Sequence, residues 1–268
     1  MSLTTTQKRD AFRRLHEDGC FVLPNPWDVG SARILQHLGF KALASTSAGM
    51  AWAMGRADGQ VSLDEVLLHL SSLAHATDLP LNADFENGFA DAPEDVARNV
   101  RLAVDTGVSG LSVEDFPGAD GKGLYDFGLA VERIAAAREA IGSSGVLLTA
   151  RSEGFIRGAP DMDETIRRLN AFAKAGADCL YAPGLREEAQ IRQVVEAVAP
   201  KPVNILSPGL PAATLGGLGV RRISLGGALA RIAYGAAFAA AAEVAEQGVF
   251  GAFAKPPGPP LNPIFAGA

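Results

Sequence analysis

The chain has 268 residues, with 24 Lys and Arg against 30 Asp and Glu and a formal net charge of −6. That balance argues against a basic, phosphate-tracking surface, so nucleic acid is not an expected partner. With 48% hydrophobic and 20% charged residues the composition is that of a globular chain, whose length suits either one α/β barrel or two smaller domains.

Residues 1–12 are polar and charged with no apolar run of the kind a secretory signal carries, so the expected location is the cytoplasm. Short apolar runs rich in Val, Leu and Ile then alternate with segments of helical period, the pattern of repeated βα units around a parallel sheet. Strands are predicted at 20–23, 42–45, 79–83, 110–113, 146–150, 179–182, 203–206 and 222–225. Helices are predicted at 31–38, 63–76, 94–104, 132–140 and 165–175, with stops at Gly39, Gly107, Gly142 and Gly176 and before Pro80. Eight strands without an internal linker point to a single (β/α)8 TIM barrel over residues 1–250, in preference to an open doubly wound sheet. The apolar, Ala-rich stretch 228–248 contains Arg231, Glu243 and Glu246, too many charges for an expected membrane span. A Pro-rich tail over 251–268 is not expected to pack as an ordinary helix. The two cysteines, Cys20 and Cys179, lie far apart and are expected as reduced, buried small hydrophobes.

In a barrel the chemistry collects at the C-terminal strand ends. Strand three ends Asn82-Ala83-Asp84-Phe85-Glu86, strand four ends Ser112-Val113-Glu114-Asp115, and the loop after strand two contains Asp58 within Gly-Arg-Ala-Asp-Gly. Two unit charges ~5 Å apart repel by about 3 kcal/mol at an effective dielectric of ~20, so several carboxylates at one rim require a proton, an arginine or a metal ion. Asp84 and Glu86 are expected on one side of an extended strand. Asp115 and Glu94 are expected as helix caps or surface ion pairs. No His or Cys accompanies the acids, and an all-oxygen donor set selects a hard cation, Mg²⁺ first and Mn²⁺ second. Arg151 at the end of strand five suits an anionic substrate carboxylate beside the metal. The small residues Ser45, Thr46 and Ser47 offer N–H and hydroxyl groups to the same ligand, and Asn204 offers its amide. His16, His37, His69 and His75 all precede strand three in helical segments, so no imidazole is expected at the rim.

Taken together, Asn25-Pro-Trp-Asp28 with Ser31-Ala32, Ser45, Asp58, Asp84-Phe-Glu86-Asn-Gly, Glu114-Asp115 and Ala150-Arg151-Ser152 resemble the isocitrate lyase/phosphoenolpyruvate mutase superfamily over residues 22–250. The resemblance implies a barrel, commonly tetrameric, whose last helix is exchanged between subunits. It implies Mg²⁺ at Asp84, with Asp58, Glu86 and Glu114 acting partly through water. A 2-oxo carboxylate would be seated on the Ser45, Thr46 and Ser47 backbone and faced by Arg151. Three departures bear on the reaction. The Lys-Lys-Cys-Gly-His loop of isocitrate and methylisocitrate lyases is replaced by a segment from Asp115 to Asp126 without Cys or His. The mutase gating loop is not recognisable, and Ala182-Pro183-Gly184 stand where many lyases have Glu. The leading expectation is a Mg²⁺-dependent lyase that decarboxylates or cleaves a small 2-oxo carboxylate, with water or a loop group, Lys122 or Tyr125, returning the proton. Phosphonopyruvate hydrolase or mutase-type P–C chemistry, and an oxo-acid binding protein without turnover, are the alternatives.

Overall fold

The computed structural model describes residues 3–118, 123–254 and 258–266. Its strands are β1 (Phe21–Leu23), β2 (Leu43–Ala44), β3 (Leu81–Asp84), β4 (Gly110–Glu114), β5 (Leu147–Arg151), β6 (Cys179–Tyr181), β7 (Val203–Leu206) and β8 (Arg222–Ser224). The helices are α1 (Thr5–Leu15), α2 (Val29–His37), α3 (Ser47–Ala53), α4 (Leu63–Ala76), α5 (Pro93–Asp105), α6 (Phe127–Ile141), α7 (Met162–Lys174), α8 (Glu188–Val198), α9 (Ala212–Gly217), α10 (Ala228–Gln247) and α11 (Leu261–Ala266).

All strand pairs are parallel, in the order β1-β8-β7-β6-β5-β4-β3-β2, which makes a nearly closed eight-stranded barrel of the TIM type. Right-handed βα crossovers cover the sheet with helices, so both of its faces are buried and the strands read as short apolar runs. The main core lies between strands and helices and is built from side chains such as Leu70, Leu111, Ile134, Phe172 and Ile205. The ends of the strand order, β1 and β2, meet without a ladder. They are joined by Ala44 N–H donating to Pro24 O (3.0 Å) and by Asn25. The Asn25 amide donates to Ser45 O (2.8 Å) while its Oδ1 accepts from the Leu225 and Gly226 N–H groups (both 2.9 Å).

Helix α1 was not foreseen from its polar composition. It starts with a capping box at Thr4 and Gln7 and closes the N-terminal end of the barrel with the fully buried Phe12. Its basic residues are spent on orphan carbonyls at helix C-termini: Lys8 donates to Ala74 and Thr77, and Arg9 to Val104 and Val108. Behind Phe12 the barrel interior is polar. Arg222, 2% exposed, donates to Asn204 Oδ1 (2.8 Å) and Thr149 Oγ1 (3.0 Å). His16 packs edge-on against Phe12 and Phe21, with ring centroids 4.7 and 5.2 Å apart.

Several expectations need correction. Cys20 is exposed and only Cys179 is buried. The tail is partly helical: α11 packs on α2 of the same chain, with Ile264 buried, and Pro263 is tolerated because it falls in the first turn, where no N–H is needed. Among the described residues α10 is, by length and composition alone, long and apolar enough to cross a membrane, with a mean hydropathy of 1.3. Only its first turn is anchored, through buried Ala230 and through Arg231, which lies 4.7 Å over the Trp52 ring. Ile232 and Phe238 beyond it are exposed.

Candidate active site

The C-terminal strand ends surround a cavity of about 310 Å³, a size suited to a small ligand. Its lining includes Ser45, Thr46, Ser47, Asp58, Asp84, Glu86, Glu114, Arg151, Arg157, Tyr181 and Asn204. No His, Cys or Lys lines it among the described residues.

Arg151, the last residue of β5, organises the rim. Its Nη1 lies 2.6 Å from Asp84, and its Nη2 lies 3.1 Å from Glu114 and 2.9 Å from Glu153. Burial opposes its charge, but Glu153, Glu114 and Asp84 together hold its pKa well above the usual value. Arg157 adds longer pairs to Glu114 (3.6 Å) and Glu153 (3.4 Å) and lies 3.9 Å over the Phe116 ring. Below them, fully buried Asp115 accepts from the Glu153 N–H (2.8 Å) and pairs with Arg168 (3.2 Å). It is therefore neither the helix cap nor the surface pair expected. Burial pushes it up to about 6, against the pull of the Glu153 N–H and Arg168.

The strand after Asp84 does not stay extended. Phe85 is buried and Glu86 turns into the left-handed region at φ 45°, a conformation costing about 1–3 kcal/mol for a non-glycine residue. A bond from the Glu114 N–H to Glu86 O (2.9 Å) holds it. This turn, rather than strand alternation, aims Glu86 into the cavity beside Asp84. Burial first, then Asp84 and Asp58, push Glu86 up to about 7. Its carboxylate has no hydrogen bond or ion pair among the described residues, whereas Asp84 is held by Arg151 and by the Ser47 N–H (3.0 Å). Asp58 reaches the rim from an exposed loop.

Other expected residues divide. Ser45 Oγ accepts from the Asp84 N–H (2.8 Å). Thr46 caps α3, its hydroxyl accepting from the Gly49 N–H. The N–H of Ser47 is already spent on Asp84, so the seat formed by these three is partly committed to holding the carboxylate. The Asn204 amide donates to Ser224 Oγ (3.0 Å), so it is tied into the barrel rather than offered to a ligand. Tyr125 does not line the cavity. Its hydroxyl donates to Asp91 and accepts from Asn87, its ring is covered by Arg133 at 4.0 Å, and burial with the Asp91 bond pushes it up to about 12. The Tyr125 role is therefore withdrawn. Lys122 lies outside the described residues.

Sequence reasoning missed Glu153, Arg157, Tyr181 and Ser224. Period-two spacing from Arg151 and the strand-end position of Tyr181 were the available signals.

The donor set suits Mg²⁺. It is all oxygen, Glu86 is a half-buried carboxylate without a cation partner, and Asp84 stands beside it. No three acidic residues form a ready-made cluster among the described residues. Mg²⁺ needs none, since it is commonly bound by one or two carboxylates with water completing the shell.

The phosphoenolpyruvate phosphomutase family model matches residues 12–245. A solved protein from Burkholderia cenocepacia J2315, designated only in general terms as a lyase/mutase, superposes with a TM-score of 0.93 at 44% identity, covering 98% of this chain and 97% of that one. Oxaloacetate decarboxylase of Paraburkholderia xenovorans (strain LB400) is 30% identical over 78% of this chain and 71% of its own. Oxaloacetate acetylhydrolase, solved with its product oxalate, is 27% identical with a TM-score of 0.86, covering 97% and 94% of the two chains. Fold, rim and relatives agree: the chain belongs to the phosphoenolpyruvate mutase/isocitrate lyase superfamily, whose members are lyases and mutases.

Proposed function

We propose that the chain is a Mg²⁺-dependent lyase that breaks the C–C bond one carbon removed from the oxo group of a small, oxaloacetate-like 2-oxo carboxylate, leaving the electron pair on the carbon beside the carbonyl. The observation that carries this reading is the Glu86 carboxylate, unpartnered among the described residues, beside Arg151-bound Asp84 in a cavity whose described lining has no His, Cys or Lys. Relatives named for oxaloacetate chemistry support the substrate class. Asp84, Glu86 and Glu114, with Asp58 at the mouth, would hold the ion, which supplies Lewis acidity to a chelating oxo acid.

The chain's own residues do the rest. Arg151 offsets the carboxylate charge and orients the substrate oxygen. Ser45, Thr46 and Ser47 wall the side on which the substrate carboxylate rests. The enclosed floor keeps bulk water from the developing enolate. The exposed apolar face of α10 supports the further proposal that a second copy covers it, in a homo-oligomer.

The test is turnover of oxaloacetate, phosphonopyruvate, methylisocitrate and dimethylmalate followed by NMR, with and without Mg²⁺, beside Asp84→Ala. Metal-dependent oxaloacetate loss that is abolished in the variant is the expected result. Phosphonopyruvate cleavage alone would replace this reading by P–C chemistry.

A further inference from the structure

Among the described residues the rim has no assigned proton donor, because Tyr125 faces away and the arginines do not release protons. A directed hydrogen-bond chain inside the barrel supplies one. Arg222 has donors only, so its bond to Asn204 Oδ1 (2.8 Å) fixes which end of that amide points down. The Asn204 Nδ2 therefore donates to Ser224 Oγ (3.0 Å), and Ser224, whose own proton that bond leaves free, donates it to the Tyr181 hydroxyl oxygen (3.4 Å). With that oxygen accepting from below, the Tyr181 O–H is left to donate elsewhere, and Tyr181 lines the cavity. It is the last residue of β6, in register with Arg151 on one side and Asn204 on the other.

From this arrangement we infer that Tyr181 is the catalytic acid that returns the proton to carbon, with Ser224, Asn204 and Arg222 as the positioning residues that aim it. The inference rests on the lyase reading above. For an oxaloacetate-like substrate the C3–C4 bond breaks, CO₂ leaves, and the electron pair remains as the enolate of the three-carbon product. The enolate carbon then takes the Tyr181 proton, forming a C–H bond and a phenolate. That phenolate is balanced by the Arg151 guanidinium, whose Cζ lies 5.2 Å from the ring centroid, and by the Ser224 O–H, and it regains its proton from water at the cavity mouth. Burial pushes the Tyr181 hydroxyl up to about 12, which keeps it protonated and ready at neutral pH.

The reverse half-reaction gives the test. The full-length protein with Mg²⁺ is assayed for oxaloacetate consumption and for exchange of the pyruvate methyl protons in D₂O, both followed by NMR. Oxalate binding and thermal unfolding report on the site and the fold. Tyr181→Phe is expected to lose exchange by about 100-fold or more, the scale of a positioned general acid, while binding oxalate within threefold of the parent. Ser224→Ala, which keeps the phenol, is expected to lose roughly tenfold, an intermediate effect of misaiming the donor. Exchange within threefold of the parent in Tyr181→Phe overturns the inference. So does exchange retained there but lost in Glu86→Gln, which would make that carboxyl the acid. If the parent protein binds oxalate with Mg²⁺ yet neither consumes oxaloacetate nor exchanges pyruvate, the lyase reading on this substrate class fails, and the assignment of Tyr181 falls with it.

Discussion

Acidification should loosen the closed end of the barrel through His16. The ring is enclosed by Phe12 and Phe21 and faces the Arg222 guanidinium, with Nε2 3.4 Å from Nη1. Its Nδ1 is 2.8 Å from Phe12 O. Burial first, and Arg222 second, lower its pKa from 6.5 to about 3. The folded state therefore holds a neutral ring where the unfolded chain takes up a proton. The stabilisation is complete above pH ~6.5 and is lost as the pH falls towards 3. At pH 5 the loss is about 2 kcal/mol, from one and a half pH units at about 1.4 kcal/mol each. His69, lowered to about 4 by burial, acts in the same direction, while Glu86 and Asp115, raised to about 7 and about 6, take up protons in the folded state and act in the opposite one, so the His16 share is read as a difference between two proteins rather than from the parent's total. The assay is urea unfolding at several pH values on the parent and on His16→Gln, which cannot titrate. Between pH 7.5 and 5 the variant is expected to lose about 2 kcal/mol less than the parent, the His16 share. Parallel curves for the two proteins would refute the reasoning.

Two further predictions concern packing beneath the site. A Cβ added at Gly110 would stand 2.6 Å from Phe12 Cε1 and 2.7 Å from Asn82 Oδ1, so Gly110→Ala should cost about 1–3 kcal/mol, and Phe12→Leu in the same chain should recover part of it in thermal unfolding. Arg168→Met removes the partner of buried Asp115. Breaking such a pair costs about 3–5 kcal/mol, and the loss measured in urea at pH 7.5 should exceed that at pH 5.5, where Asp115, at about 6, takes up a proton.

The strands were legible because each is a short apolar run between strong punctuation, and β7 was placed to the residue. The acids at the rim were legible for the same reason, since a barrel sends every strand end to one mouth. What escaped depended on side chains acting across the ring. Nothing local marks α1 as the plug, because its one buried aromatic, Phe12, lies among charges that bond distant carbonyls. Asp115 reads as a capping acid until Arg168 arrives from a helix 53 residues away. Tyr181 ends β6, whereas Tyr125 lies in the connection from β4 to α6, beside the Asp126 cap. Its engagement by Asp91 and Asn87, more than thirty residues earlier, has no local signature.

The join between β1 and β2 gives the ring a preferred place to part. One side chain, Asn25, spans it, so this joint resembles the clasp of a hoop whose remaining links are continuous ladders. Counting round the strand order, the β5–β6 pair lies across the hoop from the clasp. Arg151 on β5 is bonded to Asp84 on β3 and faces the Tyr181 ring on β6. The residue that balances charge at the mouth thus also braces the strands opposite the join, while Asn25 clasps the join itself.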